Sequence, residues 1–243
     1  MNAISGEVSQ MMEKYLDQFH EDDSLWVGII CSSHPRVFCA GADLKALNSG
    51  TPIQTAKGGF AGLVQYPIKK PLIAAVDGAA LAGGCEICLS CDLIVASTKS
   101  RFGVPEVKRS LIPAAGGLFR LIQKLPRHLA MELILTGDPM SAEKAAQYGF
   151  VNRLCAPGES LNEAIKLAEA IAVNAPLAVR EAKACVDEIR NQGMDDDAAF
   201  KRSGQGMRVL SRTPDFKEGP RAFIEKRAPV WTGKKATPRK SKL

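Results

Sequence analysis

The sequence predicts an α/β domain with largely parallel, covered strands, followed by a helical region. Three observations carry this. The apolar runs "LWVGIICSS", "PLIAAVDG" and "CDLIVAS" read as buried strands, and helical stretches and glycine turns separate them. With 243 residues, the chain fits one large domain, or one domain with a small appendage. Beyond about residue 157 the strand signal stops and amphipathic patterns follow one another.

In chain order, "EVSQMMEKYLDQF" opens as a helix, with Val8, Met11, Met12, Tyr15, Leu16 and Phe19 at helical spacing. In "VFCAGADLKAL" (37–47) a strand ends, a small-residue turn follows, and a helix begins near Asp43. "GAALAGGCEICLS" (78–90) follows a buried strand and opens a helix through Gly83 and Gly84. "RFGVPEV" (101–107) places Glu106 after a proline, and "IPAAGGLFRL" (112–121) is a second Gly-Gly opening of a helix. The helical region reads as "ESLNEAIKLAEAIAVNA", "LAVREAKACVDEIRNQG" ended by Gly193, "DDDAAFKRSGQGMRVLS" and the shorter "PDFKEGPRAFIEKR". The expected organisation is a core over 1–157, a helical region over 158–230 and a basic tail over 231–243.

Composition excludes several classes. No apolar run approaches the length that spans a bilayer, and "MNAISGEVSQ" lacks the layout of a secretory signal. The formal charge is +6, but Lys234, Lys235, Arg239, Lys240 and Lys242 hold five of those charges, leaving about +1 for the rest. The basicity belongs to the tail, which argues against a nucleic-acid face. The tail ends in Ser241, Lys242 and Leu243. A C-terminal S-K-L is a receptor-read address for the peroxisomal matrix, so an import receptor is an expected partner. Seven cysteines without a secreted context do not suggest disulfides. Cys85, Cys88 and Cys91 form C-x-x-C-x-x-C, but on a helix that spacing stacks them along one apolar face. They read as core residues, with no metal expected. His20, His34 and His128 are not placed for a Ser-His or Cys-His pair.

Small residues at the two turns admit another molecule close to the backbone, and helix-opening N–H groups can face a developing negative charge. Taken singly, each turn could be an ordinary tight connection and each glutamate a solvated one. Together, "FCAGADLKAL", "KPLIAAVDGAALAGGCE", "FGVPEVKRSLIPAAGG", "LTGDPMSAEKAAQYGFVNRL" and "AFIEKR" resemble the crotonase superfamily, the enoyl-CoA hydratase/isomerase family, in order and separation. The resemblance covers almost the whole chain. It implies a ββα spiral core with a C-terminal helical trimerisation region, hence homotrimers or hexamers.

The resemblance also implies an oxyanion hole formed by the N–H groups of Ala42 and Gly83, and an acid/base pair of Glu86 and Glu106. Glu86 would act on the water and Glu106 mainly on the Cα proton, as coupled carboxyls. Retention of both glutamates favours a hydro-lyase acting on 2-enoyl-CoA and 3-hydroxyacyl-CoA. Coenzyme A would enter as part of the substrate, with no separate cofactor. Ala42, Asp43, Leu44 and Lys45 would line its pantetheine and nucleotide end, and Phe223 and Lys226 would approach it. Members of the family usually carry a β-hairpin before the segment that is Met1-Asn2-Ala3 here, and many hydratases have glycine where Ala82 stands. "GGFAGLV" (58–64) and "EKRAPVWTGK" are similar to the carnitinyl-CoA dehydratase branch, which points to a branched or hydroxylated acyl group such as mevalonyl-CoA in siderophore biosynthesis. The alternatives are a Δ3,Δ2-enoyl-CoA isomerase, which needs one acid, and, in other classes, an RNA-binding or non-catalytic acyl-CoA-binding protein.

Overall fold

Ser5 starts the first helix. Its hydroxyl accepts the Val8 N–H and satisfies one orphan donor of α1 (Gly6–Glu21). The computed structural model describes residues 2–34 and 36–234. After α1 come β1 (Gly28–Cys31), β2 (Val37–Cys39), α2 (Leu44–Asn48), β3 (Gln54–Thr55) and β4 (Gly59–Phe60). β5 (Leu72–Val76), β6 (Ala79–Leu81), α3 (Gly83–Ser90), β7 (Leu93–Ser97) and β8 (Arg101–Gly103) follow. A 3-10 turn (Pro105–Arg109) leads to α4 (Gly117–Lys124), α5 (Arg127–Thr136), β9 (Met140–Ser141), α6 (Ala142–Gln147) and β10 (Arg153–Cys155). The chain continues through α7 (Ser160–Ala172), α8 (Pro176–Gln192), α9 (Asp196–Leu210) and α10 (Asp215–Ile224). It forms two compact units. One is the chain up to Ile68 with Leu72–Ala168, and the other is Lys69–Pro71 with the chain from Glu169.

The first unit contains two four-stranded sheets, ordered β1-β5-β7-β10 and β2-β6-β8-β9. The first is parallel throughout. In the second, β2, β6 and β8 are parallel and β9 runs antiparallel to β8. Successive strands alternate between the sheets: β1 then β2, β5 then β6, β7 then β8. After each second strand the chain turns into a helix or helical turn. Because β2, β6 and β8 are parallel neighbours, their C-terminal ends lie side by side. The chain therefore leaves at 40–43, at 82–83 and at 104–106 along one edge of one sheet. The turn from β5 to β6 is tight enough to require glycine: Gly78 has φ +78°, and a Cβ there would lie 2.0 Å from Arg36 O.

β5 is buried along its whole length, as "PLIAAVDG" predicts. β1 is not: Gly28, Ile29 and Ile30 are half-buried and Cys31 is exposed. The strand lies at the edge of its sheet, with a single neighbour, so its apolar run is only partly covered. In the second unit, α8 ends at Gly193 with φ +57°. Arg202 of α9 donates to Glu181 at 2.7 Å and pairs with Glu188 of α8. After α10 the chain is fastened back: the Asp215 carboxylate accepts from the Thr232 N–H and hydroxyl and from the Gly233 N–H, at 2.7–2.9 Å.

Candidate active site

The turn after β2 is held by Ile4. The Ile4 N–H donates to Gly41 O at 2.8 Å, and the Asp43 N–H donates to Ile4 O at 3.0 Å. Backbone directions alternate along an extended segment, so the intervening Ala42 N–H points away from Ile4. Gly41 has φ +94°, and a Cβ there would lie 2.8 Å from Ala82 Cβ and 3.2 Å from the Gly83 nitrogen. The turn thus packs directly on the start of α3. The first N–H groups bonded to Ala82 O are those of Cys85 and Glu86, which leaves the Gly83 and Gly84 N–H groups ahead of the helical ladder. Ala82 holds φ +52° and ψ −128°, a strained conformation for a residue with a Cβ.

Glu86 sits in the first turn of α3 and is 3 % exposed. Its Oε1 accepts the Gly117 N–H, the first of α4, at 2.9 Å. Gly117 allows this approach, since a Cβ there would stand 3.2 Å from the same oxygen and 2.7 Å from Pro113 Cβ. Burial pushes the Glu86 carboxyl above its ordinary range, while the Gly117 and Ala115 N–H groups and the Arg120 charge oppose that rise. Glu106 stands in the 3-10 turn that follows β8. Burial pushes its pKa up to about 7. Its own N–H resists the rise, and the negative charge of Glu86 adds to it. Glu106 Oε2 is buried and has no hydrogen-bond partner among the described residues. Such an atom is costly unless something binds it.

Two participants escaped the sequence reading. Arg120 of α4 donates from Nη1 to Ser90 Oγ and from Nη2 to Val64 O, both at 2.7 Å. Ser90 Oγ in turn donates to Glu86 O at 2.8 Å. Phe60 packs its ring against Gly83. The signal available for Arg120 was its position three residues after Gly117. Phe60 had only its place in "GGFAGLV". Among the other predicted residues, Asp43 accepts the Lys45 N–H at 2.9 Å and so opens α2. Leu44 and Lys45 are exposed. Phe223 and Lys226 belong to the second unit; Phe223 is 85 % exposed and Lys226 has φ +52°. Cys85, Cys88 and Cys91 are buried and form no disulfide among the described residues, and burial pushes the Cys85 and Cys88 thiols up. No group of three or more His, Cys, Asp or Glu that could hold a metal occurs among the described residues.

A family model described as Enoyl-CoA hydratase/isomerase matches residues 1–234. The chain belongs to the enoyl-CoA hydratase/isomerase family. It is 38 % identical over 239 residues to the carnitinyl-CoA dehydratase of Proteus mirabilis (strain HI4320), covering 96 % of this chain and 91 % of the relative. The crystal structure of enoyl-CoA hydratase from Mycobacterium tuberculosis H37Rv matches with a TM-score of 0.91 at 44 % identity, over 96 % of this chain and 90 % of that one. The carnitinyl-CoA hydratase structure from Mycobacterium avium matches at 40 % identity, with a TM-score of 0.73 and the same two coverages. The fold is that of the crotonase superfamily, and the protein is an enzyme of the hydro-lyase type.

These relatives correct one expectation. They come from Proteus and Mycobacterium, bacteria, which have no peroxisomes, so the peroxisomal address at Ser241, Lys242 and Leu243 is withdrawn together with its import receptor. Those three residues lie outside the described ones. The mevalonyl-CoA expectation rested on the resemblance of 58–64 to the carnitinyl branch as well as on that address, and none of the named relatives bears on it.

Proposed function

We propose that this enzyme reversibly adds water across the α,β double bond of 2-enoyl-CoA thioesters, giving 3-hydroxyacyl-CoA. The observation that carries the reading is a pair of carboxyls beside helix-opening donors: the buried Glu86, tied at one oxygen by Gly117, and the half-buried Glu106, whose Oε2 is buried with no hydrogen-bond partner among the described residues. Addition at Cβ passes through an enolate-like species, with charge on the thioester oxygen. The Ala42 and Gly83 N–H groups stabilise that charge. Glu86 takes a proton from the attacking water, and Glu106, half-protonated near neutrality, gives its proton to Cα. Coenzyme A is part of the substrate, and no separate cofactor takes part. Ala42, Asp43, Leu44 and Lys45 line its pantetheine and nucleotide end, and Phe223 and Lys226 approach the coenzyme A of a neighbouring subunit. A hydroxylated acyl group of the carnitinyl kind is the finer reading, supported by the names of two relatives. Turnover across a panel of enoyl-, 3-hydroxyacyl- and carnitinyl-CoA thioesters tests both readings; inactivity on all of them sinks the first.

The two carboxyls predict a pH dependence. Hydration needs one proton on the pair, and so does dehydration, because the two reactive forms differ only in which carboxyl carries it. The overall reaction releases no proton. Both values of kcat/KM should therefore fall in parallel as pH rises through about 7, where Glu106 loses its proton. Parallel measurement in both directions checks this, and a flat profile from pH 6 to about pH 9 contradicts it.

Association into homotrimers or hexamers is part of the proposal. Exposed apolar side chains on the C-terminal helices support it: Val186 at 64 %, Phe200 at 78 % and Met207 at 56 %. Light scattering should give at least three protomer masses; a single protomer mass would rule the assembly out.

A further inference from the structure

We propose that Phe60 is a specificity-determining residue: its ring sets how much bulk the acyl group can carry beside the thioester carbonyl. The inference rests on the hydratase reading above. A Cβ placed on Gly83 would lie 2.4 Å from Cε1 and from Cζ of Phe60. The ring edge therefore packs on the Gly83 Cα, within roughly 5 Å of the Gly83 nitrogen by standard bond lengths. A thioester oxygen held by that N–H, about 3 Å away, has the ring as a neighbour. The first acyl carbons branch from the same carbonyl, so a substituent there competes with the ring for space.

The ring cannot step aside cheaply. Phe60 is 7 % exposed, and its segment bends tightly: Gly59, Ala61 and Gly62 take φ of +65°, +57° and +62°. Ala61 is fully buried in this left-handed conformation, a sign that the surroundings dictate the path. Ser9, Glu13 and Asp17 recur every four residues on one face of α1 and hold the segment along its length. Ser9 Oγ donates to Ile53 O at 2.8 Å. Glu13 Oε2 accepts the Gly58 N–H at 2.8 Å and the Thr55 hydroxyl. Asp17 accepts the Tyr66 hydroxyl at 2.6 Å and pairs with Lys57. Beyond Phe60, Arg120 donates to Val64 O at 2.7 Å, and the same guanidinium reaches Ser90 on the Glu86 helix. Phe60 is thus a fixed wall tied to the catalytic helix, not a lid.

The test compares kcat/KM for crotonyl-CoA and 2-methylcrotonyl-CoA in the wild type, Phe60→Leu and Phe60→Ala. The ratio is taken within each enzyme, so a reduced folded fraction divides out, and the leucine variant serves if the alanine variant does not fold. A methyl-sized difference in an apolar pocket corresponds to roughly 10–200-fold discrimination. The ratio should therefore shift toward the branched thioester by about tenfold in Phe60→Ala, and by less in Phe60→Leu. A wild type active on crotonyl-CoA with an unmoved ratio in the variants overturns this proposal and leaves the hydratase reading standing. A wild type inactive on both thioesters overturns both.

Discussion

Glu106→Gln is expected to lower kcat for crotonyl-CoA hydration by roughly 10²–10⁴-fold, the usual contribution of a positioned acid or base. The amide keeps the shape of the carboxyl but has no acidic proton to give Cα. KM should move little, because the lost interaction belongs to the transition state. Folding gives a second readout. The folded-state pKa of Glu106, about 7, lies above the ordinary 4.5 because burial penalises the charged form. A group shifted this way contributes its stability fully below the ordinary pKa and loses it as pH rises through the folded value. Glutamine carries no such loss. At pH 8 the variant should therefore melt at or above the wild-type temperature while being nearly inactive. A variant that is both inactive and markedly less stable at pH 8 would point to a packing role for Glu106 instead.

Much of the site was legible because it is local in sequence. Gly83 and Glu86 lie within four residues of each other, directly after a strand, so the opening of the helix could be placed from the local pattern, while the roles of the Gly83 N–H and of Glu86 came from the family resemblance. Asp43 could be seen to start α2 for the same reason. What was not legible depends on distant contacts. The unpartnered oxygen and raised pKa of Glu106 arise from burial, which spacing does not report. The strand over 28–31 reads as buried because its residues are apolar, yet its place at the sheet edge leaves it half-covered. Nothing in the sequence marks Ser9, Glu13 and Asp17, polar positions interleaved with the apolar ones of α1. Only the fold brings residues 53–66 onto these three and so makes them a clamp. Phe60 matters through a contact with Gly83, twenty-three positions away.

Gly84→Ala should reduce both stability and rate, and its sign separates two accounts of the position. Inside a helix, alanine is favoured over glycine by about 1 kcal/mol, so propensity alone predicts a more stable protein. The surroundings predict the opposite. A Cβ on Gly84 would lie 2.2 Å from Cys39 O and 2.8 Å from its carbonyl carbon. Both are backbone atoms, so no side-chain rotation can relieve the clash. Overpacking of this kind costs about 1–3 kcal/mol, enough to lower the melting temperature by several degrees. The movement that relieves it must separate α3 from the end of β2. That end carries the chain through Gly41, which packs on the Gly83 nitrogen, to Ala42. The two proposed oxyanion donors would then part, and losing one such donor costs roughly 10²–10³-fold in rate. Calorimetry together with saturating kinetics on crotonyl-CoA should find both losses in the same variant. A higher melting temperature with an intact rate would show that the turn after β2 yields, and that the donors do not depend on the close packing of Gly84 against Cys39.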